Sequence, residues 1–289
     1  MQRPEGSLRL AVASGKGGTG KTMVATNLAV ALARARRSVC FVDADVEAPN
    51  GHLFLRPRID TEESVELQVP RIDAQRCTQC GECVDFCAYS ALVKLGSRIL
   101  FFPELCHACG GCRLVCPVEA IAESGRRIGT VQEGAAGAVR FIGGRLDIGQ
   151  PLSPPVIRAA QARVRPEGIA IVDAPPGTAC AAVQAVRPAN FVLLVAEPTP
   201  FGIHDLDLAA QMVRKLGLPL AVVANRADEG IGSLRSYCAE GRIEIMLEIP
   251  DDRRIGEACS RGELVVDVLP EYQDAFVRLF GLVEARLAA

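Results

Sequence analysis

Twelve cysteines stand in this chain of 289 residues, and eight of them fall in two short runs, CTQCGECVDFC at 77–87 and CHACGGCRLVC at 106–116. Each run reads C-x2-C-x2-C-x3-C. Three thiolates at i, i+3 and i+6 can wrap one corner of an iron–sulfur cube, and a distant fourth closes it. Structural zinc usually takes two separated cysteine pairs for a tetrahedron, so these runs suit it less. Disulfides are the poorer reading in a cytosolic chain, where thiols are kept reduced. A second chemical signal, GKGGTGKT, lies at 15–22 and satisfies the phosphate-loop pattern G-x-x-x-x-G-K-[ST]. Gly15, Gly17, Gly18, Thr19 and Gly20 belong to a loop whose backbone N–H groups can point inward at phosphate oxygens. Lys21 is expected to reach the β- and γ-phosphates of ATP, and Thr22 to offer its hydroxyl to Mg²⁺.

The elements around these motifs form a repeating plan. LRLAVAS (8–14) is a short apolar run leading into the Gly-rich loop, and the Ala-rich helical pattern MVATNLAVALARAR follows. SVCFVDAD (38–45), GIAIVDAPPGT (168–178), FVLLVAEPTP (191–200) and LAVVANRAD (220–228) are further apolar runs whose carboxyl ends turn polar. Continuous apolar strands alternating with helices predict an α/β fold with a mostly parallel, doubly wound sheet. Ligands bind such sheets at the carboxyl ends of the strands, where the polar residues fall here.

That rhythm breaks between about 57 and 150. SVELQVP (64–70) alternates as a half-exposed strand, and RRIGTVQEG and AVRFIGGRLDIG read as Gly-punctuated, antiparallel strands. We therefore expect a small α+β domain at 61–126, inserted into a larger one at 1–60 and 127–289. The insert is a tandem duplication: CTQCGECVDFCAYSAL (77–92) matches CHACGGCRLVCPVEAI (106–121) at an offset of 29, with all four cysteines aligned. Each half is the bacterial-type ferredoxin run, in which the fourth cysteine serves the other cluster. Cys77, Cys80, Cys83 and Cys116 are thus expected to hold one [4Fe–4S] cluster, and Cys87, Cys106, Cys109 and Cys112 a second. Pro117 follows Cys116 as that motif expects, but Ala88 follows Cys87.

The loop KGGTGKT, with its second lysine Lys16, resembles the deviant P-loop of the MinD, ParA, Mrp and nitrogenase iron-protein ATPases, also called the CobQ/CobB/MinD/ParA nucleotide-binding family. The resemblance covers nearly the whole chain, and is nearest to members with an inserted ferredoxin domain. It implies a P-loop NTPase fold and an ATP-dependent dimer, of two copies or with a related ATPase, in which Lys16 reaches the nucleotide on the other subunit. A positive charge supplied there would stabilise charge on the transferred phosphate, as an arginine finger does. DADVEAPN (43–50) resembles the first switch, with Asp45 orienting the attacking water and Asp43 near Mg²⁺. IVDAPPGT (171–178) resembles the second, with Asp173 holding Mg²⁺ through water and Gly177 sensing the γ-phosphate. Asn225 and Asp228 look like the adenine-contacting segment.

Composition narrows the function classes. The net charge of -2 offers no reason to expect nucleic-acid binding. No apolar run is long enough for a signal peptide or a membrane span, so a cytoplasmic protein is expected. The C-terminal helical pattern EYQDAFVRLFGLVEARLAA carries only two arginines offset by acids, which favours core packing over stable membrane anchoring. Cys40, Cys238 and Cys259 read as structural, and Cys238 lacks the CxxC partner of Mrp-type carriers. Cys180, seven residues after Asp173, lies at an offset similar to a cluster-ligating cysteine of the nitrogenase iron protein, but reads better as a helix-start thiol. His52, His107 and His204 show no mutual ligand spacing. The leading expectation is an ATPase whose dimer switch is coupled to electron transfer to a redox partner. The alternatives are an iron–sulfur cluster or metallocofactor carrier with an acceptor protein, and a MinD-like positioning ATPase.

Overall fold

The computed structural model describes residues 7–228 and 230–289. The chain runs β1 (Ser7–Ala13), α1 (Lys21–Arg34), β2 (Val39–Asp43), α2 (Gly51–Leu55) and β3 (Arg58–Ile72). The cysteine region follows with α3 (Glu82–Phe86), the hairpin β4 (Leu92–Leu95) and β5 (Arg98–Phe101), and α4 (Gly111–Leu114). Then come β6 (Ile121–Ala136), β7 (Val139–Leu146), α5 (Pro154–Ala162), β8 (Gly168–Asp173), α6 (Cys180–Val186), β9 (Phe191–Ala196) and α7 (Pro200–Lys215). The chain ends with β10 (Leu220–Asn225), α8 (Ile231–Glu240), β11 (Ile245–Ile249), α9 (Arg253–Ser260), α10 (Val265–Val268) and α11 (Glu271–Ala288).

Nine strands form one sheet in the order β11-β10-β9-β1-β8-β2-β7-β6-β3. The pairings from β11 to β7 are all parallel, as the uninterrupted apolar runs predict. Alternate residues of β1 feed the two faces. Leu10 and Val12 pack with α1, α10 and α11, while Ala11 and Ala13 pack with the side of α5, α6, α7 and α8. The C-terminal α11 buries Phe276, Leu279, Phe280 and Val283 against the core; Leu287 remains partly exposed. No helix among the described residues is long and apolar enough to cross a membrane.

Of the two Gly-punctuated strands expected to be antiparallel near the break, β6 pairs antiparallel with both β3 and β7, whereas β7 also runs parallel to β2 and so joins the parallel part of the sheet. β3 and β6 pair continuously from Arg58↔Ala135 to Ile72↔Ile121, a ribbon roughly 50 Å long. β7 covers β6 only from Gly129 to Ala136, so the far part of the ribbon leaves the sheet as a two-stranded arm. Positions 61 and 126 lie inside these strands, so the cysteine region is joined through β-ladder rather than through loose linkers. At the point of departure Val65 faces Gly129 and Glu66 faces Arg127, leaving Ile128 as an extra residue. Such a bulge bends and twists a ribbon. Ile128 is fully buried there. β3 is an edge strand, and its exposed charges at Arg58, Asp60, Glu62 and Glu63 discourage pairing with another chain.

Candidate functional site

The phosphate loop spans the short gap between β1 and α1, at the switch point where β9 and β8 flank β1. Gly15 is required sterically, because a Cβ there would run into the backbone carbonyl of Asp205. Gly20 has φ 92°, and a Cβ there would press on the Asn225 amide. Gly20 also lets α1 begin without a side-chain cap or an acid in its first turn. Its first N–H groups and its positive end are thereby left for an anion. Lys21 is buried at the start of the helix. The Gly177 N–H donates to the Ser14 carbonyl at 2.9 Å, tying the segment after β8 to the loop.

Two carboxylates end adjacent strands. Asp43 and Asp173 are register partners in β2 and β8, and both are fully buried. Burial, and then the neighbouring Asp173, push the Asp43 carboxyl well above its usual range. Burial also raises Asp173, to about 7, against the opposing effects of the Thr22 hydrogen bond and Lys21. Asp43 is already occupied: it accepts from the Gly51 N–H at 2.9 Å and from the Asp45 N–H at 3.3 Å, shaping the loop after β2. Asp173 accepts the Thr22 hydroxyl at 2.6 Å through one oxygen, while its other oxygen is buried without a partner. An orphaned buried carboxylate oxygen is costly unless a cation meets it. Thr22 and Asp173 therefore fit a Mg²⁺ site, with Asp43 alongside.

A cavity of about 500 Å³ opens over the loop. Gly17, Gly18, Gly20, Lys21, Thr22 and Asp45 line one side, and Asn225 the other. Burial raises the Asp45 carboxyl, with Lys21 opposing. Asn225 donates its side-chain amide to the Thr19 carbonyl at 2.8 Å, so it braces the loop while facing the cavity. Asp228 does not line it. Its carboxylate accepts from the Asp251 N–H at 3.2 Å and holds the segment after β11 in place.

Several lining groups escaped sequence reasoning. Arg226 and the segment Pro250–Arg253 close the far wall. Glu197, at the end of β9, pairs with Lys16 at 3.0 Å and with Arg226 at 2.8 Å while itself nearly buried. Lys16 is thus held within its own chain. The signal for Glu197 was legible in AEPTP, a carboxylate directly after a buried strand. The wall at 250–253 had no comparable mark.

The eight cysteines of the two runs line two separate cavities. Cys77, Cys80, Cys83 and Cys116 all line one narrow cavity. Cys87, Cys106, Cys109 and Cys112 all line another of about 160 Å³. The duplication extends to the backbone: positive φ recurs at Gln79 and Ala108, Gly81 and Gly110, and Ser90 and Glu119, each pair 29 residues apart. Glycine starts both α3 and α4 in this left-handed conformation. Every cysteine is a free thiol among the described residues. Burial raises the Cys83 thiol and pushes Cys112 up to about 11. Near neutral pH such thiols stay protonated unless a cation draws off the proton. Among the described residues no three His, Cys, Asp or Glu side chains are grouped to hold a single metal ion. A cube distributes its four thiolates over four irons, so its quartet stands wider than the ligands of one zinc. Four thiols line each cavity, the right number and type of donors for a [4Fe–4S] cluster, but the cavity of Cys77, Cys80, Cys83 and Cys116 has an open volume of only about 10 Å³ and must widen to admit one.

The remaining thiols separate by burial. Cys238 is buried, Cys40 sits in β2 with its thiol raised to about 11 by burial, and Cys180 is exposed at the first residue of α6. Cys259 lines the nucleotide cavity. The His107 ring stacks on Tyr89, with centroids 3.6 Å apart.

The pattern of the CobQ/CobB/MinD/ParA nucleotide binding domain matches residues 10–265 of the chain. The uncharacterized protein MJ0579 of Methanocaldococcus jannaschii is 30% identical over 257 residues, covering 88% of this chain and 90% of that protein. An iron-sulfur cluster carrier protein of Pyrococcus horikoshii is 26% identical over 274 residues, covering 89% of this chain and 79% of the relative. Among solved structures, the septum site-determining protein MinD of Pyrococcus horikoshii, complexed with Mg-ADP, superposes with a TM-score of 0.58. It is 21% identical and covers 94% of each chain, a likeness that speaks to fold alone.

Proposed function

The chain belongs to the CobQ/CobB/MinD/ParA nucleotide-binding family, and on that premise we propose that it is a Mg²⁺-dependent ATPase whose nucleotide-driven dimerisation gates electron transfer through two [4Fe–4S] clusters in the insert at 61–126. The observation that carries this reading is the crossed division of eight cysteines, four around each of two cavities. When bound, the clusters supply one-electron chemistry.

The residues of the chain do the rest. Lys21 and the N–H groups of the loop bind the phosphates. Thr22 and Asp173 would hold Mg²⁺, whose charge would keep the Asp173 carboxylate ionised. Asp45 orients a water that attacks the γ-phosphorus; the bond to the β-bridging oxygen breaks, and ADP and phosphate leave. Lys16 must exchange Glu197 for the nucleotide of a second subunit, either another copy or a related ATPase. A γ-phosphate would compete with the Ser14 carbonyl for the Gly177 N–H, freeing the segment after β8 to move. A physical link to the insert exists: Ala174, Ile128, Leu67, Val69, Ala91 and Cys106 belong to one packed core. A shift beside Asp173 is therefore felt at a cluster ligand.

Anaerobic purification, iron counting and electron paramagnetic resonance test the cluster content, and about eight irons per chain are expected. Stopped-flow mixing of the reduced protein with an acceptor, with and without ATP, tests the coupling. Electron transfer indifferent to ATP would sink it.

A second reading, delivery of clusters to an acceptor protein, draws on the carrier name of the Pyrococcus relative and on the exposure of Cys80 and Cys109, one thiol in each quartet. Incubation with an apo-acceptor separates the two readings: iron that moves with the protein's own clusters favours delivery.

A further inference from the structure

Resting on that two-cluster reading, we propose that the two clusters are not equivalent and that the one held by Cys87, Cys106, Cys109 and Cys112 is the port for electron exchange with an outside carrier that presents a planar aromatic ring, as a flavin does. The contact is the collar formed by Phe86, Tyr89 and His107.

The duplication makes the argument possible, because each half serves as the control for the other. The backbone is repeated even in its positive-φ positions. The side chains over the two cavities are not repeated. Tyr89, His107 and Phe86 line the second cavity. At the offset of 29, Tyr89 corresponds to Val118, Phe86 to Val115, and His107 to Thr78. Thr78 and Val118 do line the first cavity, so the positions are equivalent in place as well as in sequence. Ring-bearing residues at three positions around the second cavity, two from the first repeat and one from the second, correspond at the offset of 29 to aliphatic or hydroxyl residues. Chance is a poor account in a chain that is only 4% aromatic.

Packing does not explain the collar either. A ring that serves the core is buried, yet Phe86 is 52% and Tyr89 48% exposed, and His107 is exposed too. Their position is nonetheless built. The Tyr89 and His107 rings lie within 9° of parallel, and a Cβ on Gly111 would collide with the Phe86 ring. The equivalent of Gly111 in the first half is Glu82, where no ring has to be seated. Fixed, half-exposed π-faces offer a stacking surface for another ring. Cys106 of the second quartet belongs to the core shared with the ATPase sheet, whereas Cys83 of the first belongs to a small cluster against which Cys87 and Cys112 also pack. The step itself is simple. One electron leaves the reduced cluster, which is oxidised by one unit, and the carrier gains it; no bond to a thiolate breaks. Two such steps, with protons from water, fully reduce one flavin.

The test uses the full chain, reduced with dithionite and freed of excess reductant. Free flavin mononucleotide and hexaammineruthenium(III), which has no ring, serve as parallel acceptors. Replacing the collar by the residues at the equivalent positions around the first cavity, Tyr89→Val with His107→Thr, should slow electron transfer to the flavin about tenfold, the worth of a lost stacking contact. The ruthenium rate should hold within about twofold, and the mirror-image control Val118→Ala should change neither. Redox titration followed by paramagnetic resonance should show one of two potentials displaced in the collar variant. Tyr89→Leu, which keeps the bulk over the cavity, gives the same discrimination if the double variant folds poorly. Fewer than about eight irons in the unsubstituted protein overturns the two-cluster reading and this inference with it. Eight irons with an unchanged flavin rate, or equal slowing of both acceptors, overturns this inference alone.

Discussion

The nucleotide site and the cysteine module pose the same electrostatic problem on very different supports. Both gather acidic groups whose ionisation burial opposes: the fully buried Asp43 and Asp173 in one, the buried Cys83 and half-buried Cys112 in the other. The carboxylates are fixed by parallel ladders in the middle of a nine-stranded sheet. The thiols stand on two very short helices and loops around a buried core of Cys83, Leu92 and Ile121. A site on a sheet is preformed and stands without its metal. On the proposed two-cluster reading, a module with so small a core would draw much of its folding energy from its clusters.

The sharpest way to break that contrast is to remove a cluster. Cys87→Ser should lower iron from about eight to about four per chain. It should also open the segment 73–120 to limited proteolysis, while a fluorescent ATP analogue still binds. Resistance of that segment to proteolysis in iron-free protein would show that the module folds on its own apolar contacts. Lys21→Ala is the reverse experiment. Hydrolysis should fall on the order of 100-fold, as when a charge-stabilising donor is lost, with iron content unchanged.

Asp173→Asn sharpens the comparison through pH. In the absence of metal the folded Asp173 titrates near 7, far above its unfolded value near 3.8. The folded chain therefore holds a proton that the unfolded chain has lost, and stability from this group declines as pH rises from about 4 through about 7. Without Mg²⁺ and nucleotide, the melting temperature of the variant should exceed that of the native protein at pH 8, by a margin that shrinks toward pH 5. Saturating Mg-ATP should reverse the order at pH 8, because only the native carboxylate can use the cation. The smallest effect is expected at Glu197. Its replacement by Gln should free Lys16 from a pair worth about 1 kcal/mol. Acetylation of Lys16, followed by mass spectrometry, should then accelerate about fivefold, and hydrolysis should reach half its maximum at lower protein concentration.

How legible each region was follows from how local its determinants are. The cysteine runs and their offset could be read directly, since spacing along a tight turn is a short-range property, and the structure places Cys116 with the first run and Cys87 with the second. The phosphate loop was equally plain. The wall at 250–253 was not, because its residues gain meaning only where β10 and β11 bring them beside the loop. Asp228, read as a nucleotide contact, instead holds that wall. Tyr89 and His107 lie 18 positions apart with no shared pattern, and only the crossing of the two halves stacks them.

The sequence alone determined the chemistry of this protein: two cysteine quartets, a phosphate loop, a parallel sheet to carry it, and antiparallel strands around the insert. Those properties rest on short-range steric and bonding rules that hold wherever the residues occur. Only the tertiary structure decided how the parts are joined. It made β3 and β6 a continuous ribbon with a bulge at Ile128, tied Lys16 to Glu197, and left one cavity with an aromatic collar and the other without. Those outcomes depend on register, on strand order and on which distant surfaces find each other in the core, and no local spacing encodes them.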